Sequence, residues 1–175
     1  MQLRRATGSR RRLTEIQSEL LVARRTAGLA QLTLSDWLGV ASRTLRDWEK
    51  GYDSPSLRHL IGWAYALEFR LAAVDQLKTP ELLPVMLEDG ESLELHEMRR
   101  LTQLLRTKRR ERKISQGDLA LLLGVSRSSI QRWEDSEKFP QPIALIAWAG
   151  RLEYSVELNQ ATNVVDAPQL RPNGE

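Results

Sequence analysis

Residues 114–135 read ISQGDLALLLGVSRSSIQRWED, and they contain the clearest local structural signals in the chain. Ser115 is a good N-cap for a short apolar helix over Gln116–Leu123, because its side chain can accept a hydrogen bond from a free backbone N–H of the first turn. Gly124 ends that helix, since glycine readily takes the left-handed conformation that satisfies the last carbonyl groups.

A second capping serine, Ser126, follows at once and predicts another helix over Arg127–Asp135. Ile130 and Trp133 fall on the inward side of that helix. Two short helices joined by a tight glycine turn form a helix-turn-helix unit. The stretch therefore predicts one such unit in the second part of the chain.

The chain contains the same pattern twice. Residues 16–69 align with residues 101–154 without a gap, at an offset of 85 positions, and 17 of the 54 aligned positions are identical. Two pairs of tryptophans fall in register (Trp48 with Trp133 and Trp63 with Trp148). The repeat predicts two copies of one small module.

The predicted fold is mainly α, with two tandem helix-turn-helix domains of four to five helices each that form an intrachain pseudo-dimer. The predicted helices are Glu15–Ala27, Gln31–Leu38, Ser42–Lys50 and Leu57–Leu67 in the first copy, and a helix from Met98, Gln116–Leu123, Arg127–Asp135 and Ile143–Leu152 in the second. The predicted boundaries are a basic N-terminal arm (1–12), a first domain (13–76), an acidic connector (77–92), a second domain (93–160) and a disordered tail (161–175).

After each fourth helix the pattern changes from helical to alternating, so that Phe69–Val74 and Tyr154–Leu158 look like short strands. Two outcomes are open at this junction. The strands pair in a small antiparallel contact between the copies, or each strand only completes the core of its own copy. The connector's apolar side chains are further candidates for packing there: Leu82, Leu83, Val85, Met86 and Leu87.

Basic and acidic residues are segregated along the chain. Residues 106–113 (RTKRRERK) hold six basic side chains and one acid, whereas Asp75–Glu97 holds seven acids and one lysine. The net charge is +3. This distribution favours a surface that faces a polyanion and a connector kept away from it, although charge runs are also common on solvated faces.

Composition excludes several classes of protein. The chain has no cysteine and only two histidines, which argues against disulfides, thiol catalysis and a zinc site. It has no long apolar run, so we expect no membrane span or secretory signal and a cytoplasmic location. No catalytic motif is present, so we expect a binding protein without a cofactor rather than an enzyme.

The quoted stretch, followed by a proline and an apolar helix, resembles the Cro/repressor-type (xenobiotic-response-element-like) helix-turn-helix family of bacterial and phage regulators. Residues 30–51, AQLTLSDWLGVASRTLRDWEKG, resemble it more loosely, because Ala30 and Ala41 stand where the family has capping serines. The family has a salt bridge between its first and third helices, at positions that are Arg24 and Glu49 here, and again Arg109 and Glu134.

The resemblance implies double-stranded DNA as the partner, with the third helix of each copy in the major groove. The implied base-reading residues are Arg127, Ser128, Gln131 and Arg132 in the second copy and Ser42, Arg43, Arg46 and Asp47 in the first. Arginine can bond guanine at two atoms at once, so Arg43, Arg127 and Arg132 are the sharpest candidates. Asp47 either accepts from a cytosine amino group or pairs with a neighbouring arginine, and we favour the pairing.

Gln31 and Gln116 match the family position that contacts phosphate and braces the reading helix. The basic N-terminal arm, with Arg10, Arg11 and Arg12, has two readings of equal weight. It reaches along the DNA backbone or minor groove, or it is a disordered solubilising tail.

The two reading helices differ at every base-facing position, so we expect one chain to act as a monomeric internal pseudo-dimer on an asymmetric operator with two unlike half-sites. The resemblance implies a transcriptional regulator, such as a repressor, of a phage, plasmid or other mobile element. The alternative is an antitoxin-like or adaptor DNA-binding protein that also holds a protein partner.

Overall fold

The computed structural model of the chain describes residues 2–78, 80 and 85–161, with side chains from Gly8 onward. These residues form eight helices and one two-stranded sheet. The elements in chain order are α1 (Gln2–Thr26), α2 (Gln31–Leu38), α3 (Ser42–Glu49), α4 (Leu57–Ala66), β1 (Phe69–Val74), α5 (Leu93–Glu111), α6 (Gln116–Leu123), α7 (Arg127–Glu134), α8 (Pro142–Arg151) and β2 (Ser155–Gln160). The predicted tail, apart from Ala161, lies outside the described residues, as do Leu82 and Leu83.

The two short helices and their glycine turn are present at both predicted places. Gly39 after α2 has φ 66° and Gly124 after α6 has φ 69°, so both end a helix in the left-handed conformation. We refer to residues 13–76 as the first half and to residues 93–160 as the second half. In the described part of each half, four helices precede one strand in the same order.

The halves differ in how their short helices begin. The side chains of Ser115 and Ser126 accept from the backbone N–H groups of Asp118 and Ser129, at 3.0 and 3.1 Å. The residues at the equivalent first-half positions, Ala30 and Ala41, adopt the same extended backbone but make no side-chain cap. The first half therefore lacks two caps that the second half has.

Restoring those caps should stabilise the protein. Ala30→Ser and Ala41→Ser are each expected to raise the free energy of unfolding by about 0.5–2 kcal/mol, because both positions are exposed and already have N-cap backbone angles. Urea unfolding followed by tryptophan fluorescence measures the change. Ser126→Ala is the matched control and should lower stability by a similar amount; if Ala41→Ser has no effect while Ser126→Ala does, the two positions are not equivalent.

The first helix differs from its prediction. Helix α1 begins at Gln2, not at Glu15, so the residues assigned to an arm continue the helix in an N-terminal direction. Leu13, Ile16 and Leu20 are buried along one side of α1, which anchors it to the core. An exposed ion pair one turn apart, from Arg11 to Glu15 (2.9 Å), supports its N-terminal part. The prediction of an arm ahead of the first helix was therefore wrong.

A single core joins the two halves. Trp63 and Trp148, which are equivalent in the repeat, are both fully buried in it. Each packs against the other repeated tryptophan of its own half: the ring centroids of Trp63 and Trp48 are 6.1 Å apart, and those of Trp148 and Trp133 are 6.0 Å apart. The helices cross between halves, because α1 packs against α8 and α4 packs against α5. Packing between halves is thus part of the fold.

The predicted strand pairing is confirmed. Strand β1 pairs with β2 in an antiparallel register in which Leu71 faces Leu158, Ala72 faces Glu157 and Ala73 faces Val156. Strand β1 is buried from Arg70 to Val74. The sheet therefore joins the halves and does not merely complete two separate cores.

Two of the five connector side chains predicted to pack into this junction do not do so, whereas Val85 is half-buried. Met86 is 80% exposed and Leu87 is 42% exposed, so both side chains face solvent. Within the described ranges, no helix is long and apolar enough to cross a membrane. Among the same residues, no group of three or more acidic or histidine side chains is placed to hold a metal ion.

Candidate nucleic-acid interface

Helix α7 has one buried side and one exposed polar side. Ile130 is fully buried and Glu134 is 1% exposed, which fixes the helix against the core. The four predicted base-reading residues of this helix are all exposed: Arg127, Ser128, Gln131 and Arg132. The sequence thus predicted a set of side chains that the structure presents together on one surface. Among them, Ser128 is held by a contact of its Oγ with Ser126 Oγ at 2.9 Å.

Helix α3 shows a smaller polar surface. Arg43 and Arg46 are exposed, whereas Ser42 and Asp47 are half-buried. The Oγ atom of Ser42 lies 3.2 Å from Ser35 Oγ on α2. Asp47 Oδ2 lies 3.9 Å from Arg43 Nε, which is the pairing we favoured over a cytosine contact, at the long end of ion-pair distances.

A buried three-residue network fixes each short helix pair. In the second half, Glu134 accepts from Arg109 Nε (2.5 Å) and Nη2 (2.8 Å) and from Gln116 Nε2 (2.8 Å). Arg109 also donates to the carbonyl oxygen of Ile114 at 2.6 Å. The network therefore joins α5, α6 and α7 through one buried carboxylate.

The first half repeats this network. Glu49 accepts from Arg24 Nε (2.5 Å) and Nη2 (3.0 Å) and from Gln31 Nε2 (2.5 Å). The predicted salt bridges are thus confirmed in both halves. Gln31 and Gln116 thereby brace α3 and α7, and each is half-buried. A second proton on each amide nitrogen remains for a contact such as phosphate.

The N-terminal arginines lie elsewhere. Arg12 donates to the carbonyl oxygen of Val156 in β2 (2.9 Å) and pairs with Glu19 (2.8 Å), so its guanidinium belongs to the contact between halves. Arg10 and Arg11 are exposed. At 1.5 Å per residue, Arg11 lies about 20 Å along α1 from Arg24, the residue that meets α3. The end of α1 that meets α3 is therefore far from the three predicted phosphate-contacting arginines, Arg10, Arg11 and Arg12.

Sequence reasoning missed a buried polar cluster at the junction. Arg70 in β1 donates to Glu97 in α5 through Nε (3.1 Å) and Nη2 (2.6 Å), and Arg100 pairs with the same carboxylate at 2.8 Å. Arg100 also donates to the carbonyl oxygen of Leu71. We call Arg70, Glu97 and Arg100 the junction cluster. The one signal in the sequence was Arg70, a lone charge within the apolar strand FRLAAV.

The environment of Glu97 shifts its ionisation. The side chain is 2% exposed, and this burial alone would raise the pKa of the carboxyl group. Hydrogen bonds from Arg70 and Arg100, with their positive charges, outweigh burial and hold the pKa of Glu97 below its ordinary value. Glu97 is therefore ionised at neutral pH, and the cluster links the halves through a buried charge.

Sequence reasoning also missed a side-chain hydrogen bond to the C-terminal end of α7 and another to that of α3. Gln103 Nε2 donates to the carbonyl oxygen of Glu134 at 2.9 Å, and Gln17 Nε2 donates to that of Trp48 at 2.8 Å. Both glutamines lie on the first helix of their half. Each glutamine therefore ties the first helix of its half to the C-terminal end of α7 or α3.

Comparison with known proteins identifies part of the chain. A protein-family model described as "Helix-turn-helix" matches residues 105–159, which run from the C-terminal half of α5 through almost all of β2. The match indicates a DNA-binding regulatory domain in this part of the chain. No curated protein and no solved structure matches the chain.

Proposed function

We propose that the protein is a sequence-specific regulator of transcription that binds double-stranded DNA through both halves. The observation that carries this proposal is the exposed polar side of α7, which lies within the segment matched by the helix-turn-helix family. In that arrangement α7 enters the major groove and its side chains reach base edges. The proposed base-reading residues are Arg127, Ser128, Gln131 and Arg132, with Ser42, Arg43, Arg46 and Asp47 in the first half.

The first half supports a second binding unit on three grounds. It has the same order of elements, the same left-handed glycine turn and the same buried Arg–Glu–Gln network as the matched segment. We propose that the chain is an intrachain pseudo-dimer of two such units and acts as a monomer. Because the exposed residues of α3 and α7 differ, its operator is asymmetric and contains two unlike half-sites.

The contacts to phosphate follow from position and exposure. Gln31 and Gln116 lie at the first residue of α2 and α6, where backbone N–H groups also favour an anion. Arg10 and Arg11 are further proposed phosphate contacts on their exposure alone, since they lie far along α1 from the end that meets α3. Arg12 is bonded to β2 and is not among them. Such contacts position the protein and carry no sequence information.

Selection of bound duplexes from a random pool by the full-length chain tests this proposal. The expected result is one enriched asymmetric sequence, bound with an affinity that falls steeply as salt rises, because contacts with phosphate release counterions. Enrichment of a perfect palindrome occupied by two chains would contradict the asymmetric operator. The absence of any enriched sequence would contradict sequence-specific binding. A regulator of a phage, plasmid or mobile element, acting in the cytoplasm, is the setting that the family resemblance favours.

Substitution of the reading arginines should change sequence preference. Arg127→Ala and Arg132→Ala are each expected to weaken binding to the selected duplex by about 1–3 kcal/mol and to relax discrimination at one position. Binding to duplexes with single base changes measures both effects. Gln116→Ala is the comparison variant and should weaken binding to all duplexes alike. If both arginine variants bind as the parent does, α7 is not the reading helix.

A second candidate function has one specific observation in its favour. Leu77 is 86% exposed and Met86 is 80% exposed, and both lie within the connector. Exposed apolar side chains of this kind suit a protein partner, as in an antitoxin-like or adaptor DNA-binding protein. Replacing both with serine should then abolish the contact with that partner while DNA binding is kept; unchanged partner binding would exclude this site.

A further inference from the structure

The two halves are arranged by rotation, although the repeat runs head to tail in the sequence. Strands β1 and β2 occupy equivalent places in the repeat, and they pair antiparallel. A simple translation would leave equivalent strands parallel. The register places Ala72 opposite Glu157, and these two residues are themselves 85 positions apart. A pseudo-two-fold axis therefore passes through this pair.

The packing of the helices follows the same pseudo-two-fold axis. Helix α1 is equivalent to α5 in the repeat, and α4 is equivalent to α8. The first helix of each half packs against the fourth helix of the other half, as α1 with α8 and α5 with α4. A rotation of 180° that exchanges the halves converts one of these contacts into the other. The axis defined by the strands is thus shared by the helices.

Polar contacts at the junction obey the axis as well. Arg12 of α1 donates to the carbonyl oxygen of Val156, and Arg100 of α5 donates to that of Leu71. Val156 and Leu71 are equivalent in the repeat, so each half uses an arginine from its first helix to bond the same strand position of the other half. The two arginines are at different repeat positions, since residue 97 (Glu) matches Arg12 and residue 15 (Glu) matches Arg100. Each half therefore bonds the equivalent strand carbonyl of the other half, although the two donor arginines are not at equivalent positions.

This axis determines how the reading helices meet DNA. Helices α3 and α7 are equivalent, so the same rotation relates them, and they approach a duplex in opposite directions along it. In proteins with a two-fold axis, the arrangement of the half-sites mirrors that axis. We infer that the operator contains two half-sites in inverted orientation, read from opposite strands, and unlike in sequence. This inference rests on the proposed function and adds the orientation of the half-sites to it.

Site-directed cleavage of DNA distinguishes inverted from direct half-sites. The chain has no cysteine, so Lys50→Cys and Asp135→Cys each create a single attachment point for an iron chelate. Both residues are exposed, follow α3 and α7 directly, and are equivalent in the repeat. The probe is the duplex selected from the random pool by the full-length parent. Titration of each labelled variant with this duplex first shows that its affinity is kept.

The expected result is two cleavage patterns at equal distances from one centre, related by the inversion that exchanges the two DNA strands. Patterns on the same strand, separated by a constant shift, would show direct half-sites and overturn the inference. The same pattern from both variants would show that either half occupies either half-site, which also overturns it.

A rearranged duplex provides an independent measurement. Reversing one half-site in place changes several base pairs of that half-site, and we expect specific affinity to fall about tenfold or more. Equal or tighter binding to the rearranged duplex would contradict the inverted order. A chain that binds selected DNA specifically but prefers direct half-sites loses only this inference, whereas a chain without any preferred duplex loses the proposed function.

Discussion

A chain that carries Glu97→Ala is expected to unfold with a free energy about 3–5 kcal/mol below that of the parent. Removing the carboxylate takes away the acceptor of two hydrogen bonds from Arg70, whose charged side chain is only 7% exposed at the junction. Urea unfolding at pH 7, followed by the fluorescence of the five tryptophans, measures the difference. Arg11→Ala is the control and should change stability little, because its ion pair is exposed. A loss no larger than that of the control would show that the junction cluster does not hold the halves together.

The loss of stability in the same variant should depend on pH in a defined direction. The pKa of Glu97 is lower in the folded protein than in the unfolded chain, so its ionised form stabilises the fold. That contribution is complete above the ordinary carboxyl pKa, about 4.3, and is lost as pH falls through the lower folded value. The difference in stability between parent and Glu97→Ala should therefore be constant near neutral pH and shrink in acid. A difference that grows in acid would contradict the assignment.

The second large effect is expected at the network behind α7. Glu134→Ala should lower the free energy of unfolding by about 3–5 kcal/mol, because Arg109 loses a carboxylate that accepts two of its hydrogen bonds. The amide of Gln116 loses its partner in the same change. Urea unfolding gives the magnitude. Glu134→Gln keeps the shape of the side chain without its charge, so its free energy of unfolding is expected to lie between those of the parent and the alanine variant.

An exposed neighbour provides the matched control. Glu137 lies three residues further along the chain and is exposed, so Glu137→Ala should leave stability close to that of the parent. If Glu134→Ala and Glu137→Ala behave alike, the buried network contributes nothing to stability. Glu49→Ala tests the equivalent network of the first half and is expected to show a loss of the same order.

The short helices could be predicted to the residue where local signals were complete. Helix α6 begins and ends as predicted, because Ser115 caps its start and a left-handed glycine follows its end. Helix α2 also begins and ends as predicted, from its alignment with α6 and the glycine that follows it, although Ala30 makes no cap. The inward side of α7 was equally accessible from helical spacing, since the predicted inward residues Ile130 and Trp133 are fully and partly buried. Both inferences needed only residues close together in the sequence.

The features that the sequence did not predict depend on residues that are far apart in the chain. The contact of Arg12 with Val156 joins α1 to β2 across 144 positions of the sequence. Arg70 and Glu97 lie in different halves, and the sequence presented one as part of a strand and the other as part of an acidic run. No periodicity or capping rule connects positions at that distance.

Local sequence signals were enough to predict the short helices, their glycine turns and the positions at which the exposed side chains of α3 and α7 differ. These features depend on hydrogen bonds and apolar spacing within a few residues. The relation between the halves could not be predicted in this way: antiparallel strands, helices that pack across the halves and a buried carboxylate relate them by rotation. The order of the halves along the chain is compatible with translation or rotation, and only the contacts between them select one.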